Sequence, residues 1–180
     1  LSGGSAWSQG QVIAHRGYWT ADGSAQNSIA SLEKAARLGV YGSEFDVSLT
    51  ADGVAVVNHD DSIQGICIET AAYADLHALK LSNGETLPTL EAYLEAGKKN
   101  PDTKLILEIK PHKRVVNEDR AVQTILYQVD RYGMTDQVEY ISFSMNICKE
   151  LIRRAPAAKV SYLRSDVSPA DLKTLGFAGL

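Results

Sequence analysis

Residues 43–47 read Ser43-Glu44-Phe45-Asp46-Val47, and residues 104–110 read Lys104-Leu105-Ile106-Leu107-Glu108-Ile109-Lys110. Side chains alternate across a strand, so Glu44 and Asp46 share one face of the first segment while Phe45 and Val47 share the other. In the second segment Ile106, Glu108 and Lys110 face one way, and Leu105, Leu107 and Ile109 the other. One face is fit to pack under helices, and the other brings acids to the axis of a barrel. Both polar residues of the second segment lie at its carboxyl end, where sites on (β/α) barrels are built.

The flanking sequence fits that reading. β-rich apolar runs alternate with helical patterns, as in successive βα units around a parallel sheet. Residues 12–14 predict a first short strand and residues 27–38 a helix, with Ile29, Leu32, Ala35 and Ala36 on one face and Gly39 as its stop. The second strand covers residues 43–49. Thr50-Ala51-Asp52-Gly53 reads as a hairpin turn into an antiparallel strand over residues 54–59, at the barrel rim. Residues 60–88 read as a long, insertion-like connection carrying short helical pieces. A helix is expected over residues 90–99, a strand over 104–110 and a helix over 118–132. A fourth parallel strand over 138–143, a helix over 145–154 and a fifth strand over 159–163 follow. A short helix over 169–175 and the start of a sixth strand over 177–180 end the series.

The expected fold is therefore α/β, a TIM (β/α)8 barrel that these residues leave incomplete: about five parallel strands plus the start of a sixth. Residues 1–180 read as one barrel domain, since such a barrel typically takes about 250 residues. The expectation is that the C-terminal part of the barrel lies outside this sequence. An open doubly wound sheet is the alternative.

Composition narrows the function classes. Hydrophobic residues make up 44% and charged residues 22% of 180 residues, ordinary for a globular protein with a substantial core. The formal net charge of -4 argues against a nucleic-acid partner, because phosphate-tracking surfaces are basic. No apolar run approaches the roughly 20 residues of a membrane helix, so no integral membrane segment is expected. Cys67 and Cys148 lack metal-type spacing and read as buried small hydrophobes, with a disulfide between them left open. The chain opens on Leu1 and a Gly/Ser-rich stretch to Gly10, which reads as a processed end. It favours an extracytoplasmic location, periplasmic or secreted, over a cytoplasmic one.

The polar residues point to phosphate chemistry. Two ionised carboxylates side by side in a confined site repel, and a divalent cation relieves that cost; ordinary surface acids are the alternative for Glu44 and Asp46. Glu108 suits a third oxygen ligand and Lys110 a phosphate partner, with a structural ion pair as the plainer reading. Of the four histidines, His15 follows the first strand beside Arg16 and Gly17, and His59 ends the hairpin strand. Arginine offers a planar fork for phosphate and glycine an unusual backbone path. Two histidines at strand ends, with an arginine and three acids, fit acid–base chemistry on a phosphate ester. His77 and His112 receive no role.

In order along the chain stand His15-Arg16-Gly17, Gln26-Asn27-Ser28, Glu44-Phe45-Asp46-Val47, the Thr50/Asp52-Gly53 turn and Val56-Val57-Asn58-His59-Asp60. Leu87-Pro88-Thr89-Leu90-Glu91, Leu107-Glu108-Ile109-Lys110 and Ile141-Ser142-Phe143 follow. This series resembles the glycerophosphodiester phosphodiesterase family over most of the chain. The resemblance implies Glu44, Asp46 and Glu108 as ligands of Mg²⁺ or Ca²⁺, His15 and His59 as the catalytic acid–base pair, and Arg16 and Lys110 on the phosphate. Asn27 matches a recurrent asparagine near the metal. It implies hydrolysis of a small-molecule glycerophosphodiester to sn-glycerol 3-phosphate and an alcohol, within lipid and glycerol metabolism. His59 is read as base and His15 as acid, and the nucleophile is either water or the neighbouring glycerol hydroxyl. One departure stands out: Gln26-Asn27-Ser28 replaces the family's usual Glu-Asn-Thr, which bears on substrate choice. The alternatives are another phosphodiesterase on the same fold, of the phospholipase D-like or phosphoinositide phospholipase C kind, and a non-catalytic phosphodiester-binding module.

Overall fold

The computed structural model describes residues 12–163. Five parallel strands run side by side in the order β1 (Ile13–Ala14), β2 (Gly42–Leu49), β6 (Lys104–Ile109), β7 (Val138–Ser142) and β8 (Val160–Tyr162). Helices α1 (Ile29–Arg37), α2 (Leu90–Lys98), α3 (Val115–Arg131) and α4 (Met145–Arg154) lie between them in sequence. Among the described residues the sheet is not closed; β1 and β8 form its two ends. The short helix over 169–175 and the strand start over 177–180 lie outside the described residues.

Strand β2 is the centre of the molecule, buried along all its residues. Phe45, Val47 and Leu49 enter the main apolar cluster with Leu105, Leu107 and Ile109 of β6 and the inward faces of the helices. Phe45 stacks on Tyr93 of α2 at 4.0 Å between ring centroids. Burying a side chain of this size contributes about 1.5–3 kcal/mol. The opposite face carries Glu44 and Asp46. The parallel register sets Asp46 opposite Glu108 and Glu44 opposite Ile106. Residues paired in register point to the same side, so all three acids share one face.

Strand β1 pairs with β2 only at Gly42 and Ser43. Strand β3 (Ala55–Val57) then runs back antiparallel beside Val47 to Leu49. Since Val47 pairs with both Val57 and Ile109, β3 lies on the β2 edge away from β6. The chain leaving β1 and the chain leaving β3 therefore emerge on the same side of β2, and each carries a histidine.

Several expected boundaries shift for local reasons. Helix α1 begins at Ile29, not at residue 27, because Asn27 takes a left-handed φ of 59° and Ser28 caps the helix by accepting from the Ser31 N–H. Strand β3 stops at Val57, so His59 lies beyond the strand rather than at its end. Strand β6 stops at Ile109, which leaves Lys110 just past it. Helix α3 starts at Val115, ahead of residue 118. Its N-cap, Arg114, has a side chain with no acceptor and makes no capping bond; the Glu69 carboxylate accepts from the Lys113 and Arg114 N–H groups and from Asn117 Nδ2 instead. The connection over 60–88 holds a small hairpin, β4 (Ser62–Ile63) with β5 (Ile66–Cys67), and one 3₁₀ turn over Tyr73–Asp75. Val56, Ile68, Ala71, Leu76 and Leu87 give it a small core of its own. Both cysteines are free; Cys148 is buried as expected, but Cys67 is only half-buried.

Candidate active site

The three acids converge where the middle of β2 runs beside the carboxyl end of β6. One ligand oxygen from each of Glu44, Asp46 and Glu108 lies within 4.8 Å of the others, and all three residues are buried. Glu44 Oε1, Asp46 Oδ1 and Glu108 Oε1 have no hydrogen-bond partner. Buried carboxylate oxygens left unpaired are costly, and three together fit a shared cation. Electrostatics agree. Burial, with the Asp46 charge beside it, pushes Glu44 up to about 9. Burial, with the neighbouring Asp46, pushes Glu108 up to about 8. Asp46 stays below its ordinary value: burial opposes this, but Glu108, the Asn27 amide and the Lys110 charge outweigh it. The three cannot all ionise at neutral pH without a positive charge among them. An all-oxygen donor set of this kind fits Mg²⁺ or Ca²⁺.

The loop after β1 builds one wall. Arg16 adopts φ 56° and Gly17 φ 76°. A Cβ on Gly17 would lie 2.2 Å from Ser31 Oγ, so the residue must be glycine for the loop to seat on α1. This path aims the Arg16 N–H at Glu44 Oε2, 2.9 Å away. The Arg16 carbonyl accepts from Asn27 N–H at 3.0 Å and from Ser31 Oγ at 3.1 Å. Asn27 then clamps Asp46 from both ends: its Nδ2 donates to Asp46 Oδ2 at 3.0 Å, and its Oδ1 accepts from the Asp46 N–H at 3.2 Å.

His15 Nε2 stands 3.5 Å from Glu44 Oε2. Burial and then the Arg16 charge hold His15 below the usual 6.5, with Asp46 opposing. His59 lies near enough for its charge to bear on both His15 and Asp46, and its Nδ1 meets Asp60 Oδ1 at 2.8 Å. Lys110 Nζ lies 3.7 Å from Glu108 Oε1 and 3.9 Å from Asp46 Oδ1, beyond hydrogen-bond reach of either. All eight residues singled out from the sequence thus gather in one place: His15, Arg16, Asn27, Glu44, Asp46, His59, Glu108 and Lys110. His112, given no role, has a structural one. Its Nδ1 faces the Lys110 carbonyl at 2.8 Å and its Nε2 accepts from the Leu49 N–H at 3.0 Å, tying the ends of β6 and β2. Two partners escape the sequence reading. Asp60 on His59 is signalled only by adjacency, and Gln26 accepts from Arg16 Nη1 at 2.8 Å across ten residues of loop.

The sequence and the fold are ones that known proteins share. Residues 15–178 match the model of the glycerophosphoryl diester phosphodiesterase family. The chain belongs to that family. A crystal structure of a glycerophosphodiester phosphodiesterase from Parabacteroides distasonis is 52% identical and superposes with a TM-score of 0.92, over 93% of this chain and 70% of that one. A phosphodiesterase of Oleispira antarctica, solved in complex with the product sn-glycerol-3-phosphate, is 27% identical with a TM-score of 0.82, over 94% of this chain and 73% of that one. A probable glycerophosphodiester phosphodiesterase 2 of Mycobacterium tuberculosis is 34% identical over 138 residues, which is 74% of this chain. The match spans about half, 48%, of that relative's own length. These neighbours are TIM-barrel structures, so the open sheet of the described residues is part of a barrel wall rather than a doubly wound sheet.

Proposed function

We propose that the protein hydrolyses glycerophosphodiesters to sn-glycerol 3-phosphate and an alcohol, with a divalent cation held by Glu44, Asp46 and Glu108. The observation that carries this reading is the trio of unpaired buried oxygens, one from each acid, set between two histidines and a lysine. Membership of the family supports it, as does the product sn-glycerol-3-phosphate bound to the Oleispira neighbour.

The chain's own residues divide the work. Asn27 fixes the Asp46 carboxylate in the one orientation its two hydrogen bonds allow. The Arg16 N–H does the same for Glu44. Lys110, ion-paired with Glu108 and Asp46 at 3.7 and 3.9 Å, would share its ammonium with a phosphate oxygen. The Arg16 guanidinium, hydrogen-bonded to Gln26 Oε1, would be the second phosphate partner. His15 and His59 form the proton-transfer pair: one accepts the proton of the attacking hydroxyl as the other gives one to the leaving alkoxide. A bound cation would supply charge neutralisation at the phosphate oxygens.

The test is turnover of a panel of glycerophosphodiesters with Mg²⁺ or Ca²⁺ present, reading release of sn-glycerol 3-phosphate. Release from at least one member is expected. No release from any member, by a folded and cation-loaded protein, rejects the reading.

A further inference from the structure

We infer that His112 is a positioning residue: its imidazole stands in for one rung of the ladder between β2 and β6, and so sets where Lys110 presents its ammonium; the inference deepens the phosphodiesterase reading and rests on it for the work of Lys110. In a parallel ladder a strand bonds its neighbour at even spacing, through every second residue. The last regular rung here runs from the Lys110 N–H to the Val47 carbonyl at 3.0 Å. Two residues on, the Leu49 N–H falls due on the Lys110 carbonyl. It donates instead to His112 Nε2 at 3.0 Å, while His112 Nδ1 meets the Lys110 carbonyl at 2.8 Å. An N–H can only donate and a carbonyl can only accept, so the ring is a neutral imidazole with its proton on Nδ1. Two bonds through the ring replace one direct bond, and the ring between them holds the two strands apart.

The strands part just beyond the paired acids Asp46 and Glu108, and β6 ends there, at Ile109. The next N–H due on β2, that of His112, donates to the buried Glu118 carboxylate of α3 at 3.1 Å. Glu118 also accepts from Ser144 Oγ at 3.0 Å and from Asn146 Nδ2 at 3.1 Å, at the start of α4. The backbone that carries the ring is thus braced by two helices. Lys110 in turn is held at both of its backbone polar groups, by β2 at its N–H and by the His112 ring at its carbonyl. Its side chain is only 17% exposed, with the ammonium beside Glu108 and Asp46. A side chain packed that closely has little room to absorb a backbone shift, so closing or loosening the rung moves the ammonium with it.

The experiment is a double-mutant cycle on kcat/KM for release of sn-glycerol 3-phosphate by the cation-loaded protein, with Lys110→Met at the second site. It is joined to NMR of the nitrogen-labelled histidine rings at mildly alkaline pH. His112→Phe, which keeps a ring but neither bond, should lower kcat/KM by about tenfold or more. In a Lys110→Met background it should lower kcat/KM hardly at all, because the two residues act as one. His112→Gln, whose amide offers the same donor and acceptor, should recover most of the loss. The wild-type spectra should show His112, assigned by the signal that His112→Gln removes, with its proton on Nδ1. A proton on Nε2 instead overturns the inference. So does a wild-type kcat/KM in His112→Phe, and so does an equal loss with and without Lys110→Met, the mark of general damage. If His112→Phe fails to fold, His112→Ala takes its place in the cycle under the same criteria, and the tautomer is read on wild type whichever variants fold. Wild type that turns over no glycerophosphodiester defeats the phosphodiesterase reading and this inference together. Wild type that turns over, with additive losses in the cycle, defeats the role of His112 alone.

Discussion

Arg16 and Asn27 both hold left-handed backbone, φ 56° and 59°, at a cost of about 1–2 kcal/mol each for residues with a Cβ. The strain is tolerated because each is bonded to an acid of the site, Arg16 N–H to Glu44 and Asn27 to Asp46. His15, 3.5 Å from Glu44 Oε2, and His59, just past β3, both come from the β2 edge away from β6. If they are the proton-transfer pair, His15→Ala and His59→Ala should each lower kcat by about 10²–10⁴, with KM less affected. Steady-state kinetics on a glycerophosphodiester checks this, and two variants with wild-type kcat would make both residues structural. At this scale much was legible in the sequence. Strand alternation alone put Glu44 beside Asp46 and Glu108 on the corresponding face of its strand. What alternation cannot express is the path of a loop. Gln26 meets Arg16 only because two consecutive residues, Arg16 and Gly17, turn through positive φ.

Among the elements, the segment between β3 and α2 fastens the helices around the site. Glu69 accepts three hydrogen bonds at the start of α3, at 2.8, 3.0 and 2.9 Å. Glu85 accepts from the Ile29 N–H, at 3.2 Å, and the Ala30 N–H in the first turn of α1. Each supplies a cap, and a favourable negative charge, to a helix N-terminus. Glu69→Ala should therefore destabilise the protein by about 1–2 kcal/mol, lowering Tm by several degrees with little change in cation affinity. Thermal unfolding beside a cation titration checks it, and an unchanged Tm would mean that solvent caps α3 equally well. The order of strands and helices was legible from periodicity. The start of α3 was not, because its cap comes from Glu69, far away in sequence, and no local cap residue precedes Val115. The hairpin of β4 and β5 was missed for a related reason: two-residue strands are too short to show an alternation.

For the molecule as a whole, the acids that make the site also load the fold. Burial, with Asp46 beside them, pushes Glu44 up to about 9 and Glu108 up to about 8 in the cation-free chain, against an ordinary 4.5. A raised carboxyl pKa contributes stability below 4.5 that is lost as pH rises through the folded value. His15, held below 6.5, works in the opposite sense only below that pH. Between pH 7 and 9, then, the cation-free protein should lose stability as pH rises, each acid contributing at most about 1.4 kcal/mol per pH unit. Saturating Mg²⁺ or Ca²⁺ should flatten the slope, as should Glu44→Gln combined with Glu108→Gln. Tm measured across that range, with and without cation, checks the sign; a cation-free Tm that climbs from pH 7 to 9 contradicts it. Alternating βα patterns, with Glu108 and Lys110 at the carboxyl end of their strand, made the barrel wall legible at this scale. The shared location of both histidines was less so, since it depends on β1 being too short to fill the edge of β2 and on β3 taking its place. In the proposed function, a cation between Glu44, Asp46 and Glu108 is what makes the protein a working phosphodiesterase. The measurement that tests it most directly is release of sn-glycerol 3-phosphate from a glycerophosphodiester in excess chelator, followed by return of Mg²⁺ or Ca²⁺. Activity should disappear in chelator and return with the cation; full activity in excess chelator would rule out a cation-dependent site.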